Sequence, residues 1–267
     1  IQCCLVGSEM CIRDRGGAIR AQTGVDVEMF VHGAMCMAFS GNCTISNFTA
    51  GRDSNRGGCI QSCRFPYQLA DKRDDRPVTF MSSKDLWGIH QVGGFFEHQI
   101  CSLKIEGRMK SSFYVAVACR AYRQVIDAYG EGRLTPEMLN QIVAELESIP
   151  HRDYDSASLE TPAGSNSVYK QLESSRGTHE YLGLVMETTS ENIVLQLVES
   201  VAVGDEIEII PVHGEIMRWQ LSQLVSVVGD RLEKMRGGNV VCIPKAVAPE
   251  VLNNVEKLNV VRVAGVR

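Results

Sequence analysis

An α/β segment followed by an all-β segment is the fold class this sequence predicts, and three observations carry it. From Val25 to Ser148, extended apolar runs alternate with helical stripes, the pattern of strands joined by helices in a parallel sheet. From Gly177 onward the apolar runs shorten and are split by Gly, Asp and Pro, which reads as a small β-barrel or sandwich. Between the two, 156–176 is polar and aperiodic and reads as a linker, dividing 16–155 from 177–267. At 267 residues and 44% hydrophobic content the chain is long enough to bury a substantial core.

Taken in order, Val25–Val31 alternates and is β-branched, a strand. Residues 33–67 are small, polar and cysteine-bearing without a period, and so long a loop inside a folded domain calls for a bound centre. Val78–Met81 reads as a strand, and Ser82-Ser83 as the cap of a helix begun by Lys84–Trp87. Ile100–Ile105 is a further strand, closed by Glu106-Gly107-Arg108. Val115, Ala118, Cys119, Tyr122, Val125, Ile126 and Tyr129 form a helical stripe. Thr135 as N-cap and Pro136 at the first position start another helix, running to Ser148. The later strands are expected at 181–186, 193–198, 206–210, 223–228, 239–243 and 260–263.

Ile1 to Arg15 has neither period and resembles the translation of sequencing-adaptor DNA, so it is set apart as non-native, with no role expected for Cys3, Cys4 or Cys11. The chain holds 10 cysteines and shows no secretory leader, which points away from a disulfide framework and toward metal or redox use in the cytoplasm. The apolar runs are strand-sized, so no membrane span is expected. Charge is uneven. Arg52–Arg123 holds 12 Lys/Arg against 7 Asp/Glu, and Gln124–Arg267 holds 12 against 21, so a polyanion would meet the first part.

Four cysteines carry the strongest chemical signal: Cys36-x6-Cys43-x15-Cys59-x3-Cys63. Thiolates are soft ligands that suit an iron–sulfur cluster or zinc. Only Cys59-x3-Cys63 has the spacing of a zinc knuckle, and buried or redox-active thiols are the third option. Cys101, Cys119 and Cys242 read as small hydrophobes on a strand or a helical stripe. Neither a His-Glu-x-x-His motif nor a Gly-x-Ser-x-Gly elbow is present, and a cysteine nucleophile would need His32 as base for Cys36 or Cys43. The aromatic residues are scattered along the sequence, with no stacking platform for RNA evident.

Glu28-Met29-Phe30-Val31-His32-Gly33-Ala34-Met35-Cys36 and Gly41-Asn42-Cys43-Thr44-Ile45-Ser46 resemble the signature of the collagenase-like U-32 peptidase family. The likeness continues through Gly51-Arg52-Asp53, Asn55-Arg56-Gly57, Cys59 and Cys63-Arg64, Ser83–Leu86 and Leu103–Arg108. It implies a TIM-like (β/α) barrel, here only its C-terminal part, followed by a small β-domain. It also implies kinship with iron–sulfur proteins that hydroxylate RNA, notably a tRNA wobble uridine, using prephenate; ribosomal RNA is the target of another branch. On this reading Cys36, Cys43, Cys59 and Cys63 hold a 4Fe-4S cluster. His32, Lys104, Glu106 and Arg108 are the candidate catalytic residues, Lys104 and Arg108 as clamps for a carboxylate or phosphate. Arg52, Arg56 and Arg64 are the candidate contacts to RNA. A homo-oligomer, or a hetero-oligomer with a paralogue of the family, is the expected assembly. A collagenase-like peptidase and a non-catalytic RNA-binding or assembly protein with a structural metal site are the alternatives.

Overall fold

The computed structural model describes residues 12–38, 42–68, 77–172, 175–247 and 254–265, so Cys3, Cys4 and Cys11 lie outside the described residues. The chain divides into two units. The first comprises Ile1–Met109, Tyr122–Leu139 and His151–Ser175, and the second Lys110–Ala121, Asn140–Pro150 and Arg176–Arg267.

The elements run α1 (Ile12–Thr23), β1 (Glu28–Ala34), α2 (Ile45–Ala50), β2 (Asp85–Trp87), α3 (Val92–Glu97), β3 (Ser102–Glu106), α4 (Ser112–Gly130), α5 (Pro136–Glu147) and β4 (Tyr154–Asp155). β1 to β4 form one sheet in the order β3-β1-β2-β4. β1 is interior, and Val31, His32 and Gly33 are buried in succession because both of its faces are covered. Leu86, Ile89, Val92 and Phe95 are buried in the same unit.

The sheet is mixed, where alternation of strands and helices predicts a parallel one. β1 is parallel to β3, but β2 runs antiparallel to β1 and parallel to β4. The segment Lys84–Trp87, expected to open a helix, is the strand that reverses direction. Its serines have other partners: the Ser83 hydroxyl donates to the Met35 carbonyl at 2.9 Å, and the Asp85 N–H donates to the Asp153 carbonyl at 3.0 Å. Pairing across the sheet outweighs a local cap pattern. Val78–Met81 makes only a single bridge, Tyr67 to Val78. On α4 the buried set is Phe113, Tyr114, Val117, Ala118, Ala121, Tyr122, Val125 and Ala128, so the apolar face is rotated from the predicted stripe and leaves Val115, Cys119 and Tyr129 exposed. Cys101 is also exposed, next to edge strand β3, and donates to Asp26 at 3.2 Å. Burial is therefore not the role of either thiol; Cys242 is half-buried.

The second unit holds β5 (His179–Thr188), β6 (Asn192–Leu197), β7 (Val201–Ala202), β8 (Glu206–Ile210), β9 (Met217–Gln220), β10 (Leu224–Val225), β11 (Arg231–Leu232), β12 (Lys234–Met235), β13 (Val240–Pro244) and β14 (Val260–Ala264). Eight of them form one antiparallel sheet, β11-β10-β13-β6-β5-β14-β8-β9, and β7 pairs with β12. Among the described residues this sheet ends at β11 and β9, so it is open where a closed barrel was one expectation. Leu182, Ile193, Leu195, Ile207, Val241 and Val261 lie in its core. Arg262 of β14 faces Glu208 of β8 in register, both fully buried, with Arg262 Nε 2.6 Å from Glu208 Oε2. Ser148 and Glu145 complete the guanidinium's shell at 2.9 and 2.9 Å, so the buried charge is matched and hydrogen-bonded. No helix among the described residues is long and apolar enough to cross a membrane.

Candidate metal centre in the cysteine segment

The segment that carries Cys43, Cys59 and Cys63 is held by short polar contacts instead of an apolar core. Gly51 ends α2 with φ at 62°, in the left-handed region, and its N–H and that of Arg52 return to the Asn47 and Ser46 carbonyls. The inner side of α2 faces the helical turn Ser62–Arg64: the Thr49 and Ser62 hydroxyls are 2.6 Å apart, and those of Ser46 and Ser62 3.5 Å. The Cys43 carbonyl accepts from the Ser54 hydroxyl at 3.0 Å and the Asn55 amide at 3.1 Å. Arg108 donates to the Gly57 carbonyl at 2.8 Å and the Cys59 carbonyl at 3.1 Å, which ties the loop to the residue just beyond β3. The Tyr67 hydroxyl donates to the Ser62 carbonyl at 2.7 Å.

The thiols sit in a graded environment. A hydrogen bond from Ser54 lowers the Cys43 thiol; burial opposes this, and the Ile45 and Ser46 N–H groups add to the lowering. Burial raises the Cys63 thiol; Arg64 pulls it down, and charge on Cys36, Cys59 and Cys43 pushes it up further. All three partners are thus within electrostatic reach of Cys63. The Cys59 sulfur accepts the Gln61 N–H at 3.3 Å. Cys36 is exposed and the other three are half-buried. Among the described residues no three His, Cys, Asp or Glu side chains are grouped so as to hold a single metal ion.

The other predicted residues separate into distinct settings. His32 is fully buried, its ring against those of Tyr122 and Tyr154 and its Nδ1 3.4 Å from the Tyr122 hydroxyl, which also donates to the Val31 carbonyl. Lys104 pairs with Glu28 at 2.7 Å and lies over the Phe30 ring. Glu106 accepts the Arg108 N–H on one carboxylate oxygen, and its other oxygen is buried without a partner among the described residues. Arg52 and Arg56 are exposed, the latter 3.4 Å from Asp53. Arg64 is not: its side chain is 8% exposed and reaches the fully buried Asp85 at 3.4 Å. Asp85 also accepts the Arg152 N–H, while the Arg152 side chain binds Ser82 and the Ser83 carbonyl and lies 5.1 Å from the Tyr169 ring. Burial, with Arg64 next, lowers the Arg152 guanidinium. One buried anion thus holds the Arg64 side chain and the Arg152 backbone. Arg152 escaped sequence reasoning because its partners lie about 70 positions away.

The sequence profile of peptidase family U32 matches residues 9–168, more than half of the chain. The chain belongs to peptidase family U32. Among U32-related proteins it is 37% identical over 202 residues to the tRNA hydroxylation protein P1 of Bacillus subtilis (strain 168), an alignment covering 71% of this chain and 48% of that protein. It is 41% identical over 124 residues to the 23S rRNA 5-hydroxycytidine C2501 synthase of Escherichia coli (strain K12), covering 45% of this chain and 19% of the other. Over 135 residues it is 36% identical to a protein named collagenase from Porphyromonas gingivalis (strain ATCC BAA-308 / W83), covering 49% and 33%. This U32 chain therefore spans about half the length of the Bacillus relative.

Proposed function

We propose that this chain is the cysteine-bearing part of an RNA-hydroxylating U32 protein, acting on a tRNA wobble uridine, with Cys36, Cys43, Cys59 and Cys63 holding a 4Fe-4S cluster. One observation carries the reading: Cys36, Cys43, Cys59 and Cys63 are all free thiols, and the Cys59 sulfur already accepts a backbone N–H, that of Gln61 at 3.3 Å. The donor set fits. Four thiolates anchor such a cluster, and N–H donors to sulfur, as at Cys59, tune it. Against zinc stands the spacing, since only Cys59-x3-Cys63 has the form of a knuckle. The cluster would supply one-electron chemistry to the oxidation.

The chain's own residues hold and orient. Arg108 fixes the Cys59 loop, and Arg64, Asp85 and Arg152 back Cys63 with excess positive charge that offsets thiolate charge. Prephenate is the proposed co-substrate. A partial (β/α) barrel, of which β1 and β3 are adjacent parallel strands, is the proposed parent architecture, in a cytoplasmic protein that assembles with itself or a paralogue. Names of relatives that act on tRNA and rRNA support the RNA reading. The relative named collagenase favours a peptidase, but a base must reach its nucleophile and substrate, and His32 is enclosed by Tyr122 and Tyr154.

The test is anaerobic purification of the full-length protein, with iron and sulfide analysis and an absorption spectrum, for wild type and for Cys36→Ala, Cys43→Ala, Cys59→Ala and Cys63→Ala. About four irons and four sulfides per chain are expected, lost in each variant, with hydroxylated uridine in co-purified tRNA detected by mass spectrometry. A colourless protein or one zinc per chain would overturn the cluster and return cysteine-dependent proteolysis to first place.

A further inference from the structure

Phe48 is 92% exposed, the most exposed large apolar side chain among the described residues. Its position follows from helix geometry. Ser46 and Thr49 face the turn Ser62–Arg64, and Ser46 is buried; Phe48, about 200° of rotation from Ser46, is turned away from that contact. The helix that presents it is pinned at several points: Ser62 binds Thr49, the Ile60 N–H donates to Ser46, and the left-handed Gly51 closes its end. A phenylalanine so exposed on a fixed support offers its ring to a planar ligand without rearrangement of the helix. The chain emerging from this helix carries Arg52 and then Arg56, both exposed and the latter 87% so. Arg64, by contrast, is engaged with Asp85.

We propose that Phe48 is a stacking platform for an unpaired nucleobase, with Arg52 and Arg56 contacting the phosphates that flank it. The inference rests on the RNA reading above and names the mode of contact. An aromatic face followed in the chain by two exposed guanidinium groups, that of Arg56 3.4 Å from Asp53, matches a base joined to phosphates, since every base has a π-face and every linkage a negative charge. It does not match an apolar protein partner, which would leave the arginines without counter-charge, nor a second copy of this net-acidic chain as well as it matches a polyanion. Duplex RNA hides its base faces in the stack, so the site discriminates single strands from duplexes.

The experiment uses the full-length protein and a dye-labelled single-stranded RNA, with its fully paired duplex as control, and follows anisotropy. Phe48→Ala is expected to weaken single-strand binding about tenfold or more and duplex binding little. Phe48→Trp should retain binding and show added emission that the single strand quenches. Arg52→Ala and Arg56→Ala should each weaken binding across sequences and reduce the slope of log affinity against log salt by about 0.7. Unchanged affinity in Phe48→Ala, with wild type binding RNA, would overturn the platform and leave the RNA reading standing. Emission of Phe48→Trp that is blue-shifted before RNA is added would also overturn it, because another surface already covers the position. Wild-type protein that binds neither RNA would remove the RNA reading itself, and the platform with it.

Discussion

Asp85 shows how a single side chain can organise the ground behind a site. It is fully buried and accepts from the Arg64 guanidinium and from the Arg152 backbone N–H. Removing its charge leaves the buried Arg64 guanidinium uncompensated, which costs far more than a surface pair contributes. Asp85→Asn is expected to destabilise the protein by about 3–5 kcal/mol in urea unfolding; a loss under about 1 kcal/mol would mean that water reaches the arginines. Glu208 supplies the pH counterpart. Burial works to raise its carboxyl, but the His179 hydrogen bond and the charge and hydrogen bond of Arg262 outweigh that and hold it at about 2, below the ordinary 4.5. A depressed folded value stabilises fully above the unfolded one, so this contribution is present above about pH 4.5 and is lost as pH falls toward 2. Unfolding midpoints should therefore drop more steeply between those limits in wild type than in Glu208→Gln, and parallel curves would refute the assignment.

At the scale of elements, β1 and β3 approach so closely that one position admits only glycine. Gly33 has φ at 102°, and an added Cβ would lie 2.0 Å from the Glu106 carbonyl oxygen. Gly33→Ala must strain the backbone and push the end of β3 away, moving Glu106 and Arg108 and with them the carbonyls of Gly57 and Cys59 that Arg108 holds. Loss of stability of about 2 kcal/mol or more, together with faster alkylation of Cys59, is the expected result; an unchanged melting curve would show that the strand end yields freely. Two cap signals in this chain look alike in sequence and differ in outcome. Thr135 does accept the Met138 N–H at 3.2 Å and starts α5, while Ser82-Ser83 precedes strand β2. The helix after Thr135 has a continuous apolar stripe to sustain it; Lys84–Trp87 has only a few residues before Gly88, and sheet partners on both sides.

Across the whole molecule, each unit has its own means of cohesion. The second has a buried aliphatic core and the Arg262 charge pair. In the first, the segment 42–67 relies on hydroxyl, carbonyl and thiol contacts that individually contribute little. A bound centre would therefore matter most there. Hydrogen exchange of Cys59→Ala should show protection lost over 42–67 and kept over β5, β6, β8 and β14, since local opening follows local contact density. Uniform loss across both units would mean that they unfold together.

By itself the sequence determined the family, through several short motifs, along with the helices at 112–130 and 136–147 and strands β5, β6, β8, β10, β13 and β14, because periodicity, caps and turn residues are local; it missed β7, β9, β11 and β12, which are only two to four residues long. It also singled out the four cysteines. Only the tertiary structure decided that β2 is an antiparallel strand, that Arg64 is buried against Asp85 while Arg52 and Arg56 stay exposed, that Arg108 braces a loop, and that Phe48 stands uncovered. The Arg64 and Arg108 contacts join residues 21 to 51 positions apart, and burial and long-range pairing are properties of the folded chain that no local window contains.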